Sequence, residues 1–110
     1  MIIDLSVYKK EDLEIKSLKG TTYTIPGNFS TDFYINLLDK YQKLDAKKNS
    51  SPAEYIKIAK DFALEILSLD KTKTITSELI EEEFNDINVL RALLTGVMNY
   101  ANEISNDPLQ

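Results

Sequence analysis

The residues best suited to chemistry in this chain are carboxylates. Glu81, Glu82 and Glu83 are consecutive, and a helix would place Glu78 on the same face as Glu82. Such a pair could bind a hard cation such as Ca²⁺ or Mg²⁺. One helix does not surround an ion with six oxygen ligands, however, and no Asp-rich loop with a glycine accompanies the run. We interpret the run as a solvated helix start, and a charged contact to a partner through Glu81 and Glu82 is the alternative.

Other catalytic chemistry finds little support in the composition. The chain has neither cysteine nor histidine, which removes thiolate nucleophiles, disulfides, cysteine-based metal sites and the commonest general base. Its 18 acidic residues in 110 produce many accidental carboxylate pairs, so no glycosidase-like pair stands out. The three glycines lie too far apart for a phosphate-binding loop. We therefore predict a non-enzymatic protein with no cofactor and no metal site.

Charge is distributed unevenly along the chain. The net charge is −5, yet residues 1–75 hold 12 lysines against 11 acidic residues, while residues 76–110 hold one arginine against seven. An acidic final third repels phosphates, so neither nucleic acid nor an anionic membrane is expected as a partner. No apolar stretch reaches the ~20 residues that span a bilayer, and the first residues lack the basic start of a signal peptide. We expect a cytoplasmic protein.

The elements that would position any site begin with β-strands. Ile3, Leu5 and Val7 alternate with polar residues, which is typical of a strand. The stretch from Leu13 to Ile25 predicts a hairpin, because a Lys-Gly turn separates two segments of strand-forming residues. We predict an antiparallel sheet of two or three strands within residues 1–26.

The rest of the chain has the spacing of helices. Apolar residues recur at helical intervals throughout residues 30–105, which predicts about four helices. A small sheet followed by a bundle of helices is an α+β fold, and we expect a single domain over residues 1–110. Polar residues suited to cap the four helix starts are Ser30 or Thr31, Ser51, Thr76 or Ser77, and Asp86.

The last predicted helix is apolar over more than one stripe. Such a helix lies either at the centre of a fold or against a partner, and both interpretations stay open. Gly96 lies inside this helix, where a close contact with another helix would explain it; a glycine that is simply tolerated there is the alternative. Residues assigned to a partner or self-association surface are Leu90, Leu94, Val97, Met98, Tyr100 and Ile104.

Tyrosines form a further candidate recognition surface. Tyrosine is enriched at interfaces because it combines an apolar ring with a polar hydroxyl. Most of the aromatic residues fall at helical spacing, which favours core packing. Tyr8, Tyr23 and Tyr100 fall at the edges of predicted elements, so they are the better interface candidates.

The hairpin stretch carries a family resemblance. Residues 13–26, LEIKSLKGTTYTIP, resemble the opening of tail assembly chaperones of long-tailed bacteriophages and related prophages. Those proteins begin with a short hairpin that often ends in G-x-x-Y-x-I-P, and a compact helical bundle of about this length follows. Here Gly20, Tyr23, Ile25 and Pro26 occupy the motif positions, and the helical part matches in layout.

The resemblance implies a non-enzymatic role in the bacterial host cytosol. Such chaperones coat the tape-measure protein and keep it soluble while tail-tube subunits assemble around it. They often form homo-oligomers, and some are also made as a longer frameshifted product. Two other hypotheses stay open from the residues alone: an intracellular adaptor or regulator of the antitoxin or anti-restriction type, and a structural head–tail connector subunit.

Overall fold

The computed structural model describes residues 1–47 and 51–102, which form a two-stranded antiparallel sheet followed by four helices. This order confirms the predicted α+β class. The strands are β1, Leu13–Lys16, and β2, Thr22–Ile25. The helices are α1, Thr31–Lys47; α2, Pro52–Leu67; α3, Ser77–Glu83; and α4, Ile87–Asn102.

The hairpin forms where strand-forming residues flank a glycine turn. Gly20 has φ of 87°, a left-handed conformation that glycine adopts without the steric penalty of a Cβ. Leu13 pairs with Ile25, and Ile15 pairs with Tyr23. Tyr23 and Ile25 are both 0% exposed, so this face of the hairpin packs into the core.

The N-terminal segment does not form the predicted third strand. Leu5–Tyr8 is a short 3-10 turn, and the Asp4 carboxylate caps it by accepting the backbone N–H of Ser6 at 3.0 Å. Farther on, the Lys10 N–H donates to Asn28 Oδ1 at 3.0 Å. That contact holds the segment beside Asn28, at the end of the hairpin, and the segment does not pair with β1. The strand prediction is wrong because a local cap and this contact override the alternating pattern.

The helices start at the predicted caps. The Ser30 and Thr76 hydroxyls each accept a backbone N–H from the first turn of α1 and α3, at 3.2 Å in both cases. The Asp86 carboxylate accepts two backbone N–H groups of α4. Ser51 stands at the N-cap of α2 without a side-chain hydrogen bond, and a proline follows it at the first helical position. Local capping chemistry therefore sets these boundaries.

Helix α2 is the centre of the core. It packs against α1, α3, α4 and β2. Five of its apolar residues are buried, and α4 supplies another five. One face of the last helix is thus buried in the core, as the central interpretation expects, while Ala92, Thr95 and Gly96 on its other side stay exposed. The buried residues of the two helices are Ala59, Phe62, Ala63, Ile66, Leu67, Leu90, Leu93, Leu94, Val97 and Met98.

Asp70 covers the outer edge of β2. Its buried carboxylate accepts the outward-facing backbone N–H of Thr24 at 2.9 Å, as well as the hydroxyl and backbone N–H of Thr72. These hydrogen bonds, that of the Thr72 hydroxyl first, hold the pKa of the Asp70 carboxyl well below its ordinary value. The β2 edge is thus occupied, whereas β1 pairs on its outer side with no strand from residues 1–47 or 51–102.

Gly27 offers a test of how the N-terminal segment is attached. A Cβ at Gly27 would lie 2.3 Å from the backbone oxygen of Lys10, so Gly27→Ala is expected to destabilise the fold by about 1–3 kcal/mol. Gly96→Ala is the matched control, because nothing lies within 4 Å of its Cβ position. It should stabilise α4 by up to ~1 kcal/mol. Urea unfolding of both variants measures the difference, and equal stabilities would contradict the contact.

Candidate functional site

An apolar groove lies between β1 and α4. Its volume is about 390 Å³. β1 contributes Leu13 and Ile15 to one wall, and Val89 lies on the opposite wall in α4. Phe84 and Leu93, both nearly buried, form the floor. The hairpin packs against α2 through β2, and the space between β1 and α4 is left unfilled.

One wall of the groove is an unpaired strand edge. The Ser17 N–H donates to the Thr21 carbonyl at 2.9 Å, so odd-numbered residues of β1 form the backbone hydrogen bonds to β2. The backbone groups of Glu14 and Lys16 consequently point outward along the groove. Both side chains lie on the solvent face, while Leu13 and Ile15 face inward. This edge offers donors and acceptors to an extended polypeptide.

The opposite wall has small side chains. Ala92 and Gly96 are exposed on α4 and line the groove. Among the described residues no atom lies within 4 Å of a Cβ built at Gly96, so they do not supply the close helix–helix contact that was one explanation for this glycine. A glycine inside a helix costs about 1 kcal/mol relative to alanine. The small residues leave room for another backbone to approach α4 closely.

A buried carboxylate fixes the hairpin beside the helices. Glu83, at the end of α3, accepts the Ser17 hydroxyl at 2.6 Å and the Tyr23 hydroxyl at 2.9 Å. Burial raises the pKa of the Tyr23 phenol to about 12, and the hydrogen bond to Glu83 adds to this shift. Burial also opposes ionisation of Glu83, but the two hydroxyl donors outweigh it and lower the pKa of its carboxyl. The network therefore positions the strand that borders the groove.

The structure does not bring the predicted partner residues together as one surface. Leu90, Leu94, Val97 and Met98 are buried among the core residues. Their assignment to a partner surface is wrong for this fold, because the face that they form packs against α2. Ile104 lies outside the described residues.

The remaining predicted residues lie apart from the groove. Tyr100 is half-buried; its hydroxyl donates to the Glu11 carbonyl, and its ring packs near Phe29. Glu81 and Glu82 are exposed and lie 2.7 Å and 3.9 Å from lysine ammonium groups of α2 and the hairpin turn.

The tyrosines predicted as interface candidates also differ in their positions in the structure. Tyr23 is wrong as an interface candidate because it is fully buried. Tyr8 is half-buried, and its carbonyl accepts the side-chain N–H of Asn28 at 3.1 Å. Together with Tyr100, it helps hold the N-terminal segment against the end of the hairpin.

The groove was missed because it depends on two elements about 75 positions apart in the chain. The alternation that predicts the hairpin also predicts the strand wall of the groove. It does not show which edge of the hairpin is free. Gly96 gave a signal, because a glycine inside a helix costs about 1 kcal/mol relative to alanine. A close contact between α4 and another backbone is one explanation for such a residue.

The groove has the chemical features that an extended polypeptide can pair with. It combines an apolar floor with a row of backbone donors and acceptors. Across residues 1–47 and 51–102, no three acidic residues are placed to hold a metal ion. No helix in that part of the chain is long and apolar enough to cross a bilayer.

Comparisons of this chain with protein-family models, with curated proteins and with solved structures give no match.

Proposed function

We propose that this chain is a non-enzymatic tail assembly chaperone of a long-tailed phage or prophage, which binds the tape-measure protein and keeps it soluble during tail assembly. The observation that carries the proposal is the apolar groove beside the open edge of β1. A long, aggregation-prone client exposes apolar segments before assembly. A groove with backbone donors on one side and small side chains on the other suits such a segment.

One wall of the groove is formed by the part of the chain that resembles the chaperones. Gly20 makes the turn, and Tyr23 and Ile25 hold the hairpin in the core. The motif residues are thus needed to hold β1 next to α4, and the client would contact the neighbouring β1 residues. This division explains how a short motif can mark a binding protein without itself touching the partner.

Charge around the groove suits a binder of apolar polypeptide better than an acidic decoy of DNA. A decoy presents free carboxylates at phosphate-like spacing. Here Glu81 and Glu82 each lie near a lysine, Lys60 and Lys19 respectively. The groove itself is bordered by one acid and one base, Glu14 and Lys16.

The experiment is co-expression with the tape-measure protein encoded in the same genome, scoring the soluble fraction and co-purification. Ala92→Glu places a charge in the groove and is expected to reduce co-purified tape measure by about tenfold or more, since an unpaired charge would be buried against the client. Thr95→Glu is the matched control: it adds the same charge to an exposed position of α4 outside the groove.

Each result separates the hypotheses. Soluble tape measure with the unmodified chain and with Thr95→Glu, but not with Ala92→Glu, supports the chaperone function and its site. Equal rescue by Ala92→Glu contradicts the site alone. An insoluble tape measure in every case contradicts the function, and detection of the chain in finished particles would favour a connector subunit.

A further inference from the structure

We infer that, when no client is bound, the groove is occupied by residues 1–7 of a second copy of this chain, added to β1 as a third strand. The inference rests on the proposed function only in taking the groove as the client site. The self-association can be measured without any client. It is carried by two unpaired features of the same chain, a strand edge and an apolar segment.

The donor is the N-terminal segment. Ile3 is 75%, Leu5 69% and Val7 41% exposed, although all three are strongly apolar. Five of the eight large apolar residues that are exposed in the described chain lie within residues 1–7. A contiguous exposed apolar stretch of this kind marks an interaction site. In the free chain Leu5–Tyr8 forms a 3-10 turn, so the segment has to extend when it pairs. Its strict alternation with Asp4 and Ser6 is that of a half-buried strand.

The acceptor is the outer edge of β1, and the pairing can be specified. Seven extended residues span about 23 Å, which is longer than the ~13 Å of the four-residue β1. An antiparallel register that places Asp4 opposite Lys16 also places Leu5 opposite Ile15. The charges of Asp4 and Lys16 are then complementary on the solvent face. The apolar residues of the segment meet Leu13 and Ile15 on the groove face.

The α4 wall of the groove suits an added strand. Side chains on the inner face of that strand would lie over Ala92 and Gly96 of α4. The open space above Gly96, where no atom lies within 4 Å of a Cβ position, leaves room for them. An added strand would therefore supply a contact at Gly96 that the described residues of its own chain do not supply.

The donor belongs to a second copy because its own chain is held elsewhere. Gly27 donates its backbone N–H to the Asp12 carboxylate at 3.2 Å, and Lys10 is bonded to Asn28 at 3.0 Å. Tyr100 donates to the Glu11 carbonyl on the same connection. These contacts hold residues 10–12 at the end of the hairpin, and in the described chain residues 1–7 pair with neither strand of their own molecule, which leaves them available to another.

The test is disulfide trapping, for which the chain is suited because it has no native cysteine. The double variant Asp4→Cys with Lys16→Cys places the two thiols directly opposite each other in the inferred register, within the Cα separation that a disulfide requires. Mild oxidation of the purified protein is expected to give a disulfide-linked dimer on a non-reducing gel. Treatment with a reductant should return it to monomer.

The matched control is Asp4→Cys with Thr22→Cys. Thr22 is exposed and pairs with Lys16 across the hairpin, so it lies one strand farther from the added segment. That distance, about 10 Å, is too long for a disulfide, and dimer yield should fall at least about tenfold. Asp4→Cys alone measures random collision.

Every outcome decides the inference. Equal dimer yields from the test pair and the control overturn the register and the site. An intrachain disulfide in a monomer shows that the segment pairs within its own chain and also overturns it. Deletion of residues 1–7 should convert the protein to monomer in light scattering yet preserve tape-measure rescue, so failure of this inference is distinguishable from failure of the proposed function.

Discussion

Phe62→Ala is expected to lower the free energy of unfolding by about 3–5 kcal/mol, because it removes a large buried side chain and leaves a cavity. Phe62 is 0% exposed and lies on α2, the helix that contacts α1, α3, α4 and β2. The surrounding elements cannot all collapse onto one vacated position. Since small domains are stable by only about 5–15 kcal/mol, the variant should lose a large part of its stability. Urea unfolding followed by far-ultraviolet circular dichroism measures the loss.

Phe29→Ala is the control for this prediction. Phe29 is half-buried before α1 and contacts the rings of Phe33 and Tyr100 rather than the centre of the core. Its loss is expected to cost about half as much, in proportion to the apolar area removed from water. A Phe62→Ala variant no less stable than Phe29→Ala would contradict the central position of α2.

Glu83→Ala is expected to cost about 3 kcal/mol at neutral pH, because it leaves two buried hydroxyl donors without their acceptor. Ser17 and Tyr23 both donate to this carboxylate, and the residues stand on the hairpin while Glu83 ends α3. The variant should therefore loosen the hairpin from the helices. In a double-mutant cycle, Tyr23→Phe should cost much less in the Glu83→Ala background than in the unmodified protein.

The pH dependence of stability gives a second readout of Glu83. Hydrogen bonds lower the pKa of its carboxyl in the folded state below the ordinary value of 4.5. The stabilisation is therefore complete above that value and is lost as pH falls through the folded pKa. Acid unfolding monitored at several pH values should show a shallower dependence in Glu83→Ala than in the unmodified protein.

Glu82→Ala is the matched control for Glu83. Glu82 is exposed and lies 3.9 Å from the Lys19 ammonium, so its removal should change stability by less than about 0.5 kcal/mol. If the two alanine variants behave alike, the buried network does not hold the hairpin.

Local chemistry made much of the fold predictable. Thr76 and Asp86 form the expected side-chain caps, and Gly20 makes the expected turn. Each cap and turn depends only on residues that are close in the sequence, so it can be predicted from a short stretch of the chain. The alternation of Ile3 and Leu5 is equally local, but a strand also needs an edge to pair with, and that depends on where the connection to β1 runs.

The candidate site was not predictable for the same reason. The wide apolar surface of α4 indicated either burial or a partner, and the structure assigns Leu90 and Leu94 to the core. The exposed residues of α4 that line the groove are Ala92 and Gly96, which are too small to stand out by hydrophobicity. Their importance depends on the position of β1, which the buried contact of Glu83 with the hairpin fixes through tertiary structure.

The covered edge at Asp70 limits how this protein can aggregate. A hairpin with two free edges is a template for stacking into fibres, because every added strand exposes a new edge. Here the Thr24 N–H is already bonded to Asp70, so growth proceeds from the β1 side alone. A strand added there leaves one new outer edge rather than two. The covered β2 edge therefore restricts growth of the sheet to a single direction.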